Sequence, residues 1–176
     1  MTILRILTAP NPVLRTTSKP VKKVDDALRA FIDDMLETMY HSENGIGLAA
    51  IQVGVPKRII VMDLSGEDAP KNPKCYINPE ITWTGEEVAI HSEGCLSVPE
   101  YYAEVERPAK CRVKYLDYRG KEHEQEAEGL FATCIQHEID HLDGILFIDH
   151  ISSLKRGMIV KKLNKAQREK AQAHTI

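Results

Sequence analysis

Apolar residues recur at three- and four-residue steps through Val24, Leu28, Phe31, Met35 and Met39, a spacing that predicts a helix over residues 21–41. Asn44 and Gly45 break that pattern. Downstream the apolar runs become short and β-branched. Residues 58–63, 74–81, 86–90, 111–117 and 123–128 read as strands, the first two separated by the turn-rich SGEDAPKNP. Asp117-Tyr118-Arg119-Gly120 supplies a hairpin turn between the last two. Helical spacing returns over residues 130–142, with Gly144 just beyond as a stop. A final helix is predicted over residues 153–173, with Leu154, Met158, Ile159 and Leu163 expected to anchor its start and mainly polar residues thereafter. The fold class implied is α+β: short antiparallel strands around a central helix, with further helices near the N- and C-termini.

Repeats, linkers and low-complexity segments are absent from the sequence, so residues 1–176 are expected to form one domain. No apolar run approaches the roughly 18 residues a membrane span needs. The opening MTILRILTAPNPVLR lacks a long apolar core and a small-residue cleavage site, so a cytoplasmic protein is expected. Four irregularly spaced cysteines in such a chain are expected to be thiols. Cys75, Cys111 and Cys134 lie in apolar stretches and read as small core residues. Charge is unevenly distributed: residues 151–176 carry seven Lys or Arg and one Glu, or +6, which leaves −9 on residues 1–150.

Chemistry enters with CIQHEIDHLDG, residues 134–144. Residues i and i+4 share a helix face, so His137 and His141 can place two imidazoles on one metal ion, with Glu138 beside them. The bland alternative is a charged helix with two surface histidines. Two protease-like third ligands fail to convince: Phe147 stands where a third His would fall, and Glu169 lies in the polar tail. Upstream, EGCLSVP (residues 93–99) offers Cys95, with Pro99 expected to end the run. Two His and one Cys would leave a fourth position open, as in catalytic sites. Taken alone, Cys95 also fits a buried thiol. GIGLAAIQ (residues 45–52) is no phosphate loop, because it lacks both GxGxxG and the P-loop lysine. By itself it reads as a tight turn of small residues.

GIGLAAIQ, EGCLSVP and QHEIDHLDG, in that order, resemble the three signature motifs of the bacterial peptide deformylases, and APNPVLR is similar to the family's N-terminal stretch, with Asn11 where an Asp is usual. The resemblance implies removal of the formyl group from the N-formyl-methionine of new polypeptides, releasing formate. It implies Cys95, His137 and His141 as metal ligands, Glu138 as acid–base, and the Gln52 side chain with the Leu96 N–H as donors to the developing oxyanion. The ion implied is Fe²⁺, with Zn²⁺, Ni²⁺ or Co²⁺ able to take the site. Ile46 and Gly47 would bind peptide backbone, and Ile46, Gly94, Leu130, Thr133 and Cys134 would wall a methionine pocket. His91 reads more readily as a half-exposed strand residue than as pocket lining, and Tyr102 stands where some relatives carry a basic residue. A Glu93–Arg107 pair could hold the cysteine loop. The resemblance also implies docking of the basic tail (Lys161, Lys162, Lys165, Arg168, Lys170) on ribosomal RNA near the nascent-chain exit. Two rivals remain: a metallopeptidase cutting ordinary peptide bonds, and a non-catalytic metal-stabilised ribosomal protein. The presence of Gln52, Glu138 and all three ligand residues counts against the second.

Overall fold

The computed structural model describes residues 1–174. Helix α1 spans Asp26–His41. It starts later than the apolar spacing suggests, because Asp25 is extended and its side chain accepts from the Leu28 N–H, satisfying a donor that a helix start leaves unpaired. Seven strands follow: β1 Gly47–Ala49, β2 Ile59–Met62, β3 Lys74–Thr84, β4 Val88–Cys95, β5 Val98–Pro108, β6 Lys110–Leu116 and β7 Glu122–Glu128. Helix α2 is Gly129–Leu142 and α3 is Ser153–Ala173.

An antiparallel sheet runs β1-β2-β3-β6-β7, and β4 and β5 form a separate antiparallel hairpin. The large sheet is buried on both faces where it carries the site. Ile60, Met62 and Tyr76 point into one apolar cluster with Ile135, Ile139 and Leu142 of α2. Their neighbours Ile59, Val61, Cys75 and Ile77 point into another with Leu28, Ile32, Met35 and Met39 of α1. That is the two-residue alternation of a strand serving two cores. A third cluster joins Leu14, Val98 and Val105 to Phe147, Ile148 and Leu163.

Three expectations need correction. The predicted strand over residues 86–90 is the first part of β4, which continues to Cys95. Pro99 does not end its run: β5 passes through it. A proline is tolerated there because the hairpin has only two strands and an outer edge needs no donor. Finally, Leu154 and Met158 are 76% and 55% exposed and do not anchor α3. Ile159, Val160 and Leu163 make its contact with the body. Leu154 lies nine residues, or two and a half turns, before Leu163, and therefore faces the opposite way.

Candidate metal and catalytic site

Helix α2 crosses the molecule against the sheet and is apolar or buried over most of its circumference, which brings its polar residues inside: Gln136, His137, Glu138 and His141 are all buried. Its C-terminus is held hard. The Leu142 carbonyl accepts from Ser18 N at 2.7 Å and Arg58 Nη1 at 3.2 Å, satisfying an acceptor that a helix end leaves free. Gly144 then turns the chain at φ +75°, where an added Cβ would collide with the Arg15 backbone.

Opposite α2, the β4–β5 register shifts between Gly94 and Cys95, so that Cys95 pairs with Val98 across a turn made by Leu96 and Ser97. This bulge re-aims the cysteine. Its Sγ lies 3.2 Å from His141 Nε2 and accepts from Ser97 N at 3.4 Å and Gln52 Nε2 at 3.6 Å. One ligating atom each from Cys95, His137 and His141 fall within 4.8 Å of one another.

The surroundings orient these groups. His137 Nδ1 is 2.8 Å from Glu93 Oε1, which leaves Nε2 to face the cluster. Arg107 grips both Glu93 oxygens at 2.7 and 2.9 Å and reaches Asp140 at 2.8 Å. Burial alone would raise the Glu93 carboxyl, but hydrogen bonds from His137 and Arg107 hold it down to about 2. Gln52 is buried in the short 3-10 turn Ala50–Val53. Its Oε1 accepts from Ala49 N at 2.9 Å, which directs Nε2 toward Cys95 and Ser97 Oγ.

Glu138 projects beside the cluster, and burial pushes its carboxyl up to about 7 against the pull of His137. Its Oε2 and the Nδ1 of His141 are buried without a hydrogen-bond partner among the described residues. A Cβ on Gly47 would stand 2.7 Å from Glu138 Oε1, so the glycine is what lets β1 pass the carboxylate.

A cavity of about 650 Å³ opens onto this cluster. It is lined by Ile46, Gly47, Gln52, Gly94, Cys95 and Leu96, and by Leu130, Thr133, Cys134, His137 and Glu138. Of the ligand, catalytic and substrate-contacting residues that the resemblance implied, His141 alone is absent from the lining, being wholly buried. His91 is an exposed strand residue outside the cavity. Cys75 and Cys111 are buried in the core as expected, whereas Cys134 is half-buried in the cavity wall. Sequence reasoning missed Ser97, Asp140 and the contact of Glu93 with His137. A metal-ligating histidine needs an acceptor for its second nitrogen, and a glutamate two residues before the candidate cysteine was the available signal.

The donor set suits a divalent transition metal: one soft sulfur, two imidazoles, and an unpartnered buried carboxylate oxygen beside them. Phe147, at the third-histidine position of some zinc proteases, is buried with its ring stacked 6.2 Å from His137, and Glu169 is exposed on α3. Neither joins the cluster.

Comparison with known proteins gives a consistent result. The family model described as polypeptide deformylase matches residues 3–157. The peptide deformylase of Phenylobacterium zucineum is 61% identical over 94% of this chain and 97% of its own length. That of Mesorhizobium japonicum is 59% identical over 97% of each. Among solved structures, a peptide deformylase from Legionella pneumophila superposes with a TM-score of 0.87 at 45% identity, covering 97% of this chain and 98% of its own.

Proposed function

The chain belongs to the polypeptide deformylase family, and from that premise we propose how its residues divide the work of removing the N-formyl group from N-formyl-methionyl polypeptides. Family membership makes the chain a metal-dependent hydrolase that releases formate. The observation that carries the assignment of parts is the convergence of Cys95, His137 and His141 at one point, with Glu138 alongside.

Cys95, His137 and His141 hold the ion, with Fe²⁺ as the cellular metal and Zn²⁺, Ni²⁺ or Co²⁺ as substitutes. When bound, it supplies Lewis acidity, making water nucleophilic at neutral pH and polarising the formyl carbonyl. Glu138 accepts a proton from the attacking water and passes it to the departing α-amine. Its raised pKa suits that exchange near neutrality. Gln52 donates through Nε2 to the carbonyl oxygen as negative charge develops there, its own oxygen tied to Ala49 N so that the donor is already oriented. The Leu96 backbone N–H, in the tight turn after Cys95, is the second donor. Gly47 of β1 and Ile46 just before it meet the peptide backbone, and Ile46, Gly94, Leu130, Thr133 and Cys134 wall the methionine side chain.

Cleavage of ordinary peptide bonds is not supported, since the third ligating group is a thiol rather than a nitrogen or carboxylate. The whole chain acts as one cytoplasmic catalytic domain, and the basic end of α3 meets the ribosome. Anaerobically purified protein should release formate from a formyl-Met-Ala peptide and leave unformylated Met-Ala intact. Metal analysis of the same sample should find iron, and the iron form should lose activity in air unless Ni²⁺ or Co²⁺ replaces it, because thiolate and ferrous ion are both oxidisable. Cleavage of Met-Ala at a comparable rate would overturn the reading.

A further inference from the structure

The hydrogen bonds behind His137 do not stop at Asp140. Asp140 Oδ2, which accepts from Arg107 Nη1 at 2.8 Å, also lies 2.7 Å from His150 Nε2. Facing a carboxylate oxygen, that ring nitrogen donates. An unbroken series therefore runs from His150 through Asp140, Arg107 and Glu93 to His137 Nδ1, every link between 2.7 and 2.9 Å. The hydrolysis gives His150 no role of its own.

His150 is held firmly at the outer end. It closes the short 3-10 helix Phe147–His150, whose Asp149 accepts from Leu146 N at 2.9 Å and from both guanidinium nitrogens of Arg15 at 2.5 and 3.1 Å. Phe147 and Ile148 of the same turn are buried with Val98 and Val105 of β5 and Leu163 of α3. The turn also reaches the candidate ligand directly, since the Phe147 ring stacks on the His137 imidazole with centroids 6.2 Å apart. One four-residue element thus meets His137 at its face through Phe147 and at its edge through His150.

Without His150, Asp140 keeps only Arg107 as a side-chain donor among the described residues, and it is one-fifth exposed. Its carboxylate can then turn toward water, and Arg107 loses the anchor it has besides Glu93. Glu93 in turn sets the orientation of the His137 ring, as the acceptor behind a ligating histidine does. We propose, resting on the ligand set inferred above, that His150 is a positioning residue of the metal site. Acting through Asp140, Arg107 and Glu93, it fixes the imidazole of His137 for the ion.

Protein loaded with Co²⁺ tests this, because the visible bands of that ion report its ligand geometry independently of turnover. In His150→Phe those bands should move. Transfer of the ion to a chelator should be at least about threefold faster, less than the roughly 10–100-fold attached to a direct partner of a ligating histidine. His150→Gln sets an N–H donor near the place of Nε2 and should restore both. Adding His150→Phe to Asp140→Ala should change nothing further, because the series is already cut at Asp140. Unchanged bands and release in His150→Phe would overturn the proposal. So would equal defects in the Phe and Gln variants, or a full additional loss on top of Asp140→Ala, either of which makes His150 a packing residue alone. A wild-type protein that takes up Co²⁺ without a thiolate-to-metal charge-transfer band would instead bring down Cys95 as a ligand, and the proposal with it.

Discussion

At the scale of single residues, the site depends on two positions whose roles separate cleanly. Glu138 neighbours the three candidate ligands of the proposed site, so Glu138→Ala should retain the metal while formate release falls by at least about a hundredfold, the usual scale for a general acid–base. Loss of metal from a folded Glu138→Ala protein would make the glutamate a ligand. Gly47→Ala offers an independent check, because its Cβ would press on Glu138 Oε1 without touching the ligands. It should lower kcat by at least about tenfold, with metal content unchanged, as misplacing a reacting group by a fraction of an ångström does. Which residues to examine was legible in the sequence, since the i, i+4 histidines with an intervening acid form a local pattern. The partners that orient them were not. Glu93 stands forty-four positions from His137, and their contact exists only once β4 and α2 are packed together.

At the scale of elements, Asp63 ties the end of β2 to α1 and to the loop that follows. It accepts from Tyr40 of α1 at 2.5 Å, from Ser65 N and Oγ at 2.9 and 2.6 Å, and from Asn72 N at 2.9 Å. Burial would raise its carboxyl, but these bonds to the charged form hold it down to about 2. A carboxyl depressed by folding stabilises the fold fully above its unfolded value near 4, and that contribution disappears as pH falls through about 2. Asp63→Asn should therefore cost about 1.5–3 kcal/mol at neutral pH, the range for hydrogen bonds to a charged group. Urea unfolding at several pH values should show the gap between variant and wild type closing between pH 4 and 2. A gap constant down to pH 2 would mean that the charged form has no special place in the fold. Element types were largely readable because burial imposes its period on each segment. The hairpin strand β5 escaped because its outward residues Tyr102, Glu104 and Glu106 mask the inward run Ala103, Val105 and Arg107.

At the scale of the whole molecule, charge and shape set how the enzyme meets its surroundings. Beyond Leu163, α3 is exposed apart from half-buried Asn164, with Lys165, Arg168 and Lys170 in solvent. Leu154 and Met158 add exposed apolar surface near its start. Deleting residues 164–176, the last two outside the described residues, should weaken co-sedimentation with ribosomes at low salt by at least about tenfold, as expected for lost phosphate contacts. Hydrolysis of a short formyl-Met peptide should be nearly unaffected, since none of the described residues of that segment lines the cavity. Undiminished co-sedimentation would leave the segment as a solvated helix end.

The sequence by itself determined the fold class and singled out the helix that carries the candidate ligands His137 and His141, because periodicity and i, i+4 spacing are properties of neighbouring residues. Even Cys95 stood out only as one plausible ligand until the family motifs were read together. Tertiary structure decided what depends on packing. It set the bulge that turns Cys95 toward His141, the Glu93–Arg107–Asp140 chain behind His137, and the face by which α3 attaches. It also placed Tyr102 on Gly94 at the mouth of the cavity. Each is a contact between segments remote along the chain. Local pattern does not encode such contacts, because the burial and hydrogen bonding that select them arise only when the elements come together.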